Sequence, residues 1–112
     1  MKIYHNPRCS KSRTALNLLT EKNLDIEVIK YLDEVPSKED LRVLLTKLGK
    51  DAVEIVRKGE KDYKEKFKGK ELSNEEWIDA FVKYPKLIER PIFINGDKAV
   101  VGRPPENVLE IL

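Results

Sequence analysis

The chain carries one cysteine in 112 residues, so it can close no internal disulfide. It can build neither a Cys-x-x-Cys redox pair nor a multi-cysteine zinc or iron-sulfur site, and no metal is expected. Long apolar runs are missing too, since nothing approaches the ~20 apolar residues of a membrane-spanning helix. Met1-Lys2-Ile3-Tyr4-His5 runs directly into polar residues, without the apolar stretch of a signal peptide. No membrane association is expected, and the expected location is the cytoplasm, whose reducing poise suits a free thiol. A dominant charge of one sign is also lacking. The 22 basic and 20 acidic residues interleave to leave +2, which argues against a nucleic-acid partner.

What is present is a 40% apolar and 38% charged composition, the balance of a solvated globular domain. Ile3 and Tyr4 open a short strand, and the loop Asn6-Pro7-Arg8-Cys9-Ser10 leads into a helix. That helix gathers Ala15, Leu16, Leu18 and Leu19 on one side and stops near Asn23. Leu24, Ile26 and Val28 then alternate with charged residues, and Ile29, Tyr31 and Leu32 continue the extended pattern. A right-handed strand-helix-strand unit with parallel strands is expected.

Ser37-Lys38-Glu39-Asp40 has capping-box spacing ahead of Leu41, Leu44, Leu45 and Leu48, with a stop at Gly49. The same spacing at Asp51-Ala52-Val53-Glu54 predicts a short helix through Val56, and at Ser73-Asn74-Glu75-Glu76 a helix bearing Trp77, Ile78, Phe81 and Val82. Between them the charge-dense segment from Lys58 to Lys70, anchored by Tyr63 and Phe67 alone, reads as an exposed connection. Pro91-Ile92-Phe93-Ile94 and Lys98-Ala99-Val100-Val101 flank Asn95-Gly96-Asp97, a hairpin whose Asn-Gly step supplies positive backbone dihedrals. Pro104 and Pro105 suit the first turn of a last helix, with Val108, Leu109, Ile111 and Leu112 as its buried face. The expected α/β architecture is therefore strand-helix-strand, a helical insertion over roughly 37–85, a β-hairpin and a C-terminal helix around a mixed sheet. This is the element order of a thioredoxin-like fold, here a single domain spanning 1–112.

Cys9 lies among Pro7, Arg8, Ser10, Lys11, Ser12 and Arg13. A lone cysteine is more often a buried inert thiol, but such a residue belongs on an apolar face and none surrounds position 9. A thiol with the ordinary pKa of about 8.5 is only a few per cent ionised at pH 7, and lowering it by about two units needs ~2.7 kcal/mol. A helix N-terminus contributes typically about 0.3 to 1 kcal/mol, so further donors are required. Arg8, Lys11, Arg13, the Ser10 and Ser12 hydroxyls and the sole histidine, His5, are the nearby candidates. Arg90-Pro91 and Arg103-Pro104 stand at the ends of extended segments, where turns at one sheet edge can bring two guanidinium forks to the cysteine loop. An oxyanion held there receives bidentate, charge-assisted hydrogen bonds that lysine cannot duplicate.

His5-Asn6-Pro7-Arg8-Cys9-Ser10-Lys11-Ser12-Arg13, Leu87-Ile88-Glu89-Arg90-Pro91-Ile92 and Gly102-Arg103-Pro104-Pro105-Glu106 together resemble the glutaredoxin-linked arsenate reductase family. The likeness runs nearly end to end and includes Val56-Arg57-Lys58. It implies that Cys9 attacks arsenic, that Arg57, Arg90 and Arg103 bind the oxyanion, and that His5 helps to lower the thiol pKa. Ser12 and Arg8 are the other residues expected to stabilise the thiolate, although Arg8 and Lys11 stand where other members can carry smaller residues. The resemblance further implies arsenate or a similar oxyanion as substrate, glutathione as co-substrate, glutaredoxin as electron donor and no bound cofactor. A monomer is expected, as is a cis peptide before Pro91 if the fold is thioredoxin-like.

Two other functions share this scaffold. A general glutathione-dependent thiol reductase would use the same site on a mixed disulfide. An Spx-type regulator that binds RNA polymerase would sense oxidation through a Cys-x-x-Cys pair, but Ser12 stands at the second cysteine position.

Overall fold

The computed structural model describes residues 1–112 as two compact units, one built from 1–34 with 90–112 and the other from 35–89. No helix is long and apolar enough to cross a membrane.

The first unit is a four-stranded mixed sheet of order β2-β1-β3-β4, formed by β1 (Lys2–Tyr4), β2 (Glu27–Ile29), β3 (Ile92–Asn95) and β4 (Lys98–Val101). β1 runs parallel to β2 and antiparallel to β3, and β4 is antiparallel to β3. Helix α1 (Ser10–Thr20) supplies the crossover between the parallel strands. Ile3, Ala15, Leu19, Phe93 and Val108 form a fully buried core, so the strand, helix and hairpin residues singled out by periodicity meet in one place. Leu16, Leu24, Ile26, Val100, Leu109 and Ile111 pack around it. β2 is shorter than the alternation predicts, because as an edge strand it pairs with β1 alone and leaves Glu27 and Val28 exposed.

Two local expectations are corrected here. In the hairpin, Gly96 alone carries the positive φ, 62°, as a tight turn with glycine at its first central position requires. Asn95 stays in β3, opposite Lys98, and its Nδ2 donates to the Ile111 carbonyl at 2.7 Å. The last helix, Pro105–Ile111, is a 3-10 helix with Pro105 in its first turn, and Leu112, expected on its buried face, lies beyond its end and is exposed.

The second unit holds α2 (Lys38–Leu48), a 3-10 turn over Ala52–Ile55, α3 (Lys61–Lys66), α4 (Asn74–Lys83) and a 3-10 turn over Pro85–Leu87. Ser37 and Ser73 each accept the N3 backbone N–H while Asp40 and Glu76 return the bond, so both capping boxes form as their spacing predicts. Leu41, Leu44, Ile55, Ile78, Phe81, Leu87 and Ile88 are essentially inaccessible and form its interior. The connection from Lys58 to Lys70 contains α3, an element the sequence reading left out. Its dense charge hides a 63/67 aromatic pair at i, i+4 spacing. Tyr63 stacks at 6.4 Å and Phe67 tilts at 5.4 Å against Trp77.

Gly102 is where this packing leaves no room. A Cβ there would lie 2.8 Å from Cγ of Pro91 and 3.2 Å from Val108, and a proline ring cannot swing aside. Gly102→Ala is expected to cost about 1 to 3 kcal/mol through overpacking, read as a lower urea midpoint at unchanged slope. An unchanged midpoint would show that the Pro91 segment yields freely.

Candidate active site

The sheet register explains how distant residues converge. Tyr4 at the end of β1 pairs with Ile92 at the start of β3, which pairs with Val101 at the end of β4. The segments that leave this edge carry Cys9, Arg90 and Arg103, so all three emerge at one end of the sheet.

The loop after β1 is tied down by its own backbone. Asn6 Oδ1 accepts the Arg8 N–H at 3.0 Å, the Asn6 carbonyl accepts the Cys9 N–H at 3.0 Å, and Arg13 Nη1 donates to the Pro7 carbonyl at 2.9 Å. Cys9 becomes the N-cap of α1 in extended conformation, its carbonyl accepting the Arg13 N–H at 3.0 Å. An N-cap side chain faces the unpaired N–H groups of the first turn.

That placement decides the state of the thiol. Burial pushes the half-buried Cys9 up, but the Ser12 N–H, the hydrogen-bonding and positively charged Arg90 guanidinium and the Lys11 N–H together bring it below the ordinary thiol value. Arg103 adds Nη2 at 3.7 Å from Sγ while its Nε donates to the Arg90 carbonyl at 2.8 Å. One edge of that guanidinium is thus anchored and another is presented to sulfur. The Arg90-Pro91 and Arg103-Pro104 bonds are both cis.

The residues expected to stabilise the thiolate divide. Ser12 reaches sulfur through its backbone N–H, whereas its hydroxyl lies 2.6 Å from His5 Nδ1 and accepts the Asn6 N–H at 3.1 Å. His5 therefore meets Ser12, fully buried beside it, and does not fold back onto sulfur as its spacing suggested. Burial, with Lys30 and Arg13 nearby, lowers the His5 pKa, so its ring is neutral at pH 7 and brings no positive charge. Arg8 is exposed, and it is its backbone N–H that donates to Asn6 Oδ1. The guanidinium that shifts the thiol is that of Arg90.

Arg57 belongs to the second unit, where Val56 bridges Ile88 and the Arg57 N–H donates to the Leu87 carbonyl at 2.7 Å. Its side chain is flanked by Glu60, 3.3 Å from Nη1, and Glu89, 3.8 Å from Nε. Sequence reasoning overlooked Asn6, a 9% exposed side chain that organises the loop, although an Asn-Pro step is a turn signal. It also gave no sign that Arg103 holds the Arg90 backbone.

Residues 4–111 match the ArsC family. The chain is 50% identical to the uncharacterized protein YfgD of Escherichia coli, over all of this chain and 96% of that one. It is 46% identical to an arsenate reductase of Haemophilus influenzae, over 98% of this chain and 97% of the other. Its structure superposes on an arsenate reductase from Vibrio cholerae with a TM-score of 0.94 at 46% identity, covering all of this chain and 98% of that one. With its sulfur at the helix N-terminus and the family pattern running through almost every residue, the chain belongs to the ArsC family.

Proposed function

We propose that this protein reduces arsenate to arsenite, with Cys9 as nucleophile and Arg57, Arg90 and Arg103 as oxyanion ligands. Glutathione is the co-substrate and glutaredoxin the electron donor, and the protein works as a cytoplasmic monomer without a bound cofactor. The observation that carries this reading is a half-buried Sγ at the N-terminus of α1 with the Arg90 and Arg103 guanidiniums beside it. Relatives called arsenate reductase, 43% and 46% identical over nearly their full length, support the choice of substrate.

Two anions must meet for the reaction to begin. A thiolate and a singly charged arsenate about 4 Å apart repel by about 4 kcal/mol at an effective dielectric of 20, and flanking guanidiniums offset a cost of that size. The Cys9 thiolate attacks arsenic, and one arsenate oxygen leaves with protons as water. Having one cysteine, the chain cannot resolve this adduct itself. A glutathione thiol next attacks arsenic, its proton leaving with a second oxygen as water. A glutaredoxin thiolate then attacks the glutathione sulfur, forming a mixed disulfide and leaving the bonding electron pair on arsenic, which passes from As(V) to As(III). Water takes the place of the Cys9 sulfur, arsenite departs and the thiolate is restored. Overall, arsenate and two thiols give arsenite, one disulfide and water.

In a glutathione- and glutaredoxin-coupled assay, Cys9→Ser is expected to abolish turnover. Arg57→Lys, Arg90→Lys and Arg103→Lys should each lose about tenfold to a hundredfold in kcat/KM, the loss of a charge-assisted bond of about 1.5 to 3 kcal/mol. Turnover by Cys9→Ser would end the nucleophile assignment. Faster reduction of a glutathione mixed disulfide than of arsenate would favour the thiol reductase.

The pH dependence has a definite sign. A depressed native thiol pKa makes alkylation of Cys9 by iodoacetamide reach half its maximal rate at a lower pH than that of an unperturbed thiol. The associated stability is fully present above the unfolded thiol's pKa and is lost as pH falls through the native one. Arg90→Leu should move the alkylation midpoint upward, and an unmoved midpoint would show that Arg90 does not stabilise the thiolate.

A further inference from the structure

Behind the cysteine loop lies a cavity of about 330 Å³, walled on one side by His5 and the Asn6-Pro7-Arg8 turn and on the other by Lys30, Leu32 and Asp33. It lies wholly within the first unit and does not include Cys9. His5 is only 5% exposed, yet it lines this cavity. Its Nδ1 meets Ser12 Oγ at 2.6 Å, and the same Oγ accepts from the Asn6 N–H. Arg8 and Lys30 add two cations to the walls and Asp33 one anion, so the balance favours a negatively charged guest.

The turn that forms one wall ends at the nucleophile, because the Asn6 carbonyl holds the Cys9 N–H at 3.0 Å. A molecule seated there therefore lies against the segment that carries the nucleophile. We propose that this cavity binds the carboxylate end of the small anionic thiol that resolves the Cys9 adduct, with Arg8 and Lys30 pairing with the carboxylate. This rests on the reading that an external thiol completes the reaction. The guest's sulfur attacks arsenic on the Cys9 adduct, and its proton leaves with the displaced oxygen as water. No electrons change hands in this step.

The test has two arms. With arsenate as substrate, wild type should prefer glutathione over its uncharged diethyl ester by at least about fivefold in kcat/KM, and Lys30→Gln should erase that preference while leaving the arsenate KM in place. Equal use of acid and ester by wild type, or a preference that survives Lys30→Gln, overturns the assignment. In the second arm, the unreactive S-methylglutathione is titrated into ¹⁵N-labelled protein. Saturable amide shifts at Asn6, Arg8 and Lys30 to Asp33, lost in Lys30→Glu, support the cavity, and shifts elsewhere or none overturn it. If those shifts are present but arsenate is not reduced with any thiol, the proposed reaction fails and the binding site stands.

Discussion

The sulfur of Cys9 sits in a partly buried loop where burial opposes a negative charge on it, and much of the first unit works to make that charge easier to hold. The helix dipole contributes about 0.3 to 1 kcal/mol, well short of the ~2.7 kcal/mol that two pKa units require. Burial works in the wrong direction, so the difference has to come from aimed donors. The Ser12 and Lys11 N–H groups are supplied by helix geometry alone, whereas Arg90 and Arg103 come from more than eighty residues further along the chain. The mixed sheet brings them back. Pairing β1 antiparallel to β3, and β3 to β4, places the exit of the first strand, the entrance of the third and the exit of the fourth at one edge.

The two arginines at that edge are not independent. Arg103 Nε is bonded to the Arg90 carbonyl, the Gly102 N–H to the Pro91 carbonyl, and Asn107 Nδ2 to the Arg103 carbonyl, so the segments flanking the hairpin form one hydrogen-bonded frame. Replacing Arg103 removes a cation from sulfur and also a brace from the segment carrying the other cation. Residues joined in this way show non-additive effects, so a double substitution at 90 and 103 measures the frame more than two separate contacts.

The sequence disclosed what depends on local chemistry. Capping boxes at Ser37 and Ser73, the hairpin around Gly96 and the polar setting of Cys9 all follow from neighbours within four residues, and the structure forms each of them. It was silent where a partner lies far along the chain. Helix α3 hides in a charged stretch because what stabilises it is Trp77, ten or more residues away. His5 looked like a ligand of sulfur because spacing reports distance along the loop, while the choice between Sγ and Ser12 Oγ depends on how the ring packs. Arg8 and Arg90 are both arginines next to proline, and only the sheet register distinguishes the one beside the thiol.

The neutrality of His5 also determines which kind of thiolate this is. A cysteine stabilised by an imidazolium loses its counter-ion as the pH rises through the histidine pKa, and its reactivity is tied to that titration. Here burial, Lys30 and Arg13 keep the imidazole uncharged, and the cations facing the sulfur are guanidiniums, a group that carries its charge throughout the physiological range. The support for the thiolate is therefore nearly constant across physiological pH, and only the thiol's own ionisation shapes its reactivity. In the proposed reaction the same guanidiniums have a second task, since the charge that readies the nucleophile would also draw in the oxyanion.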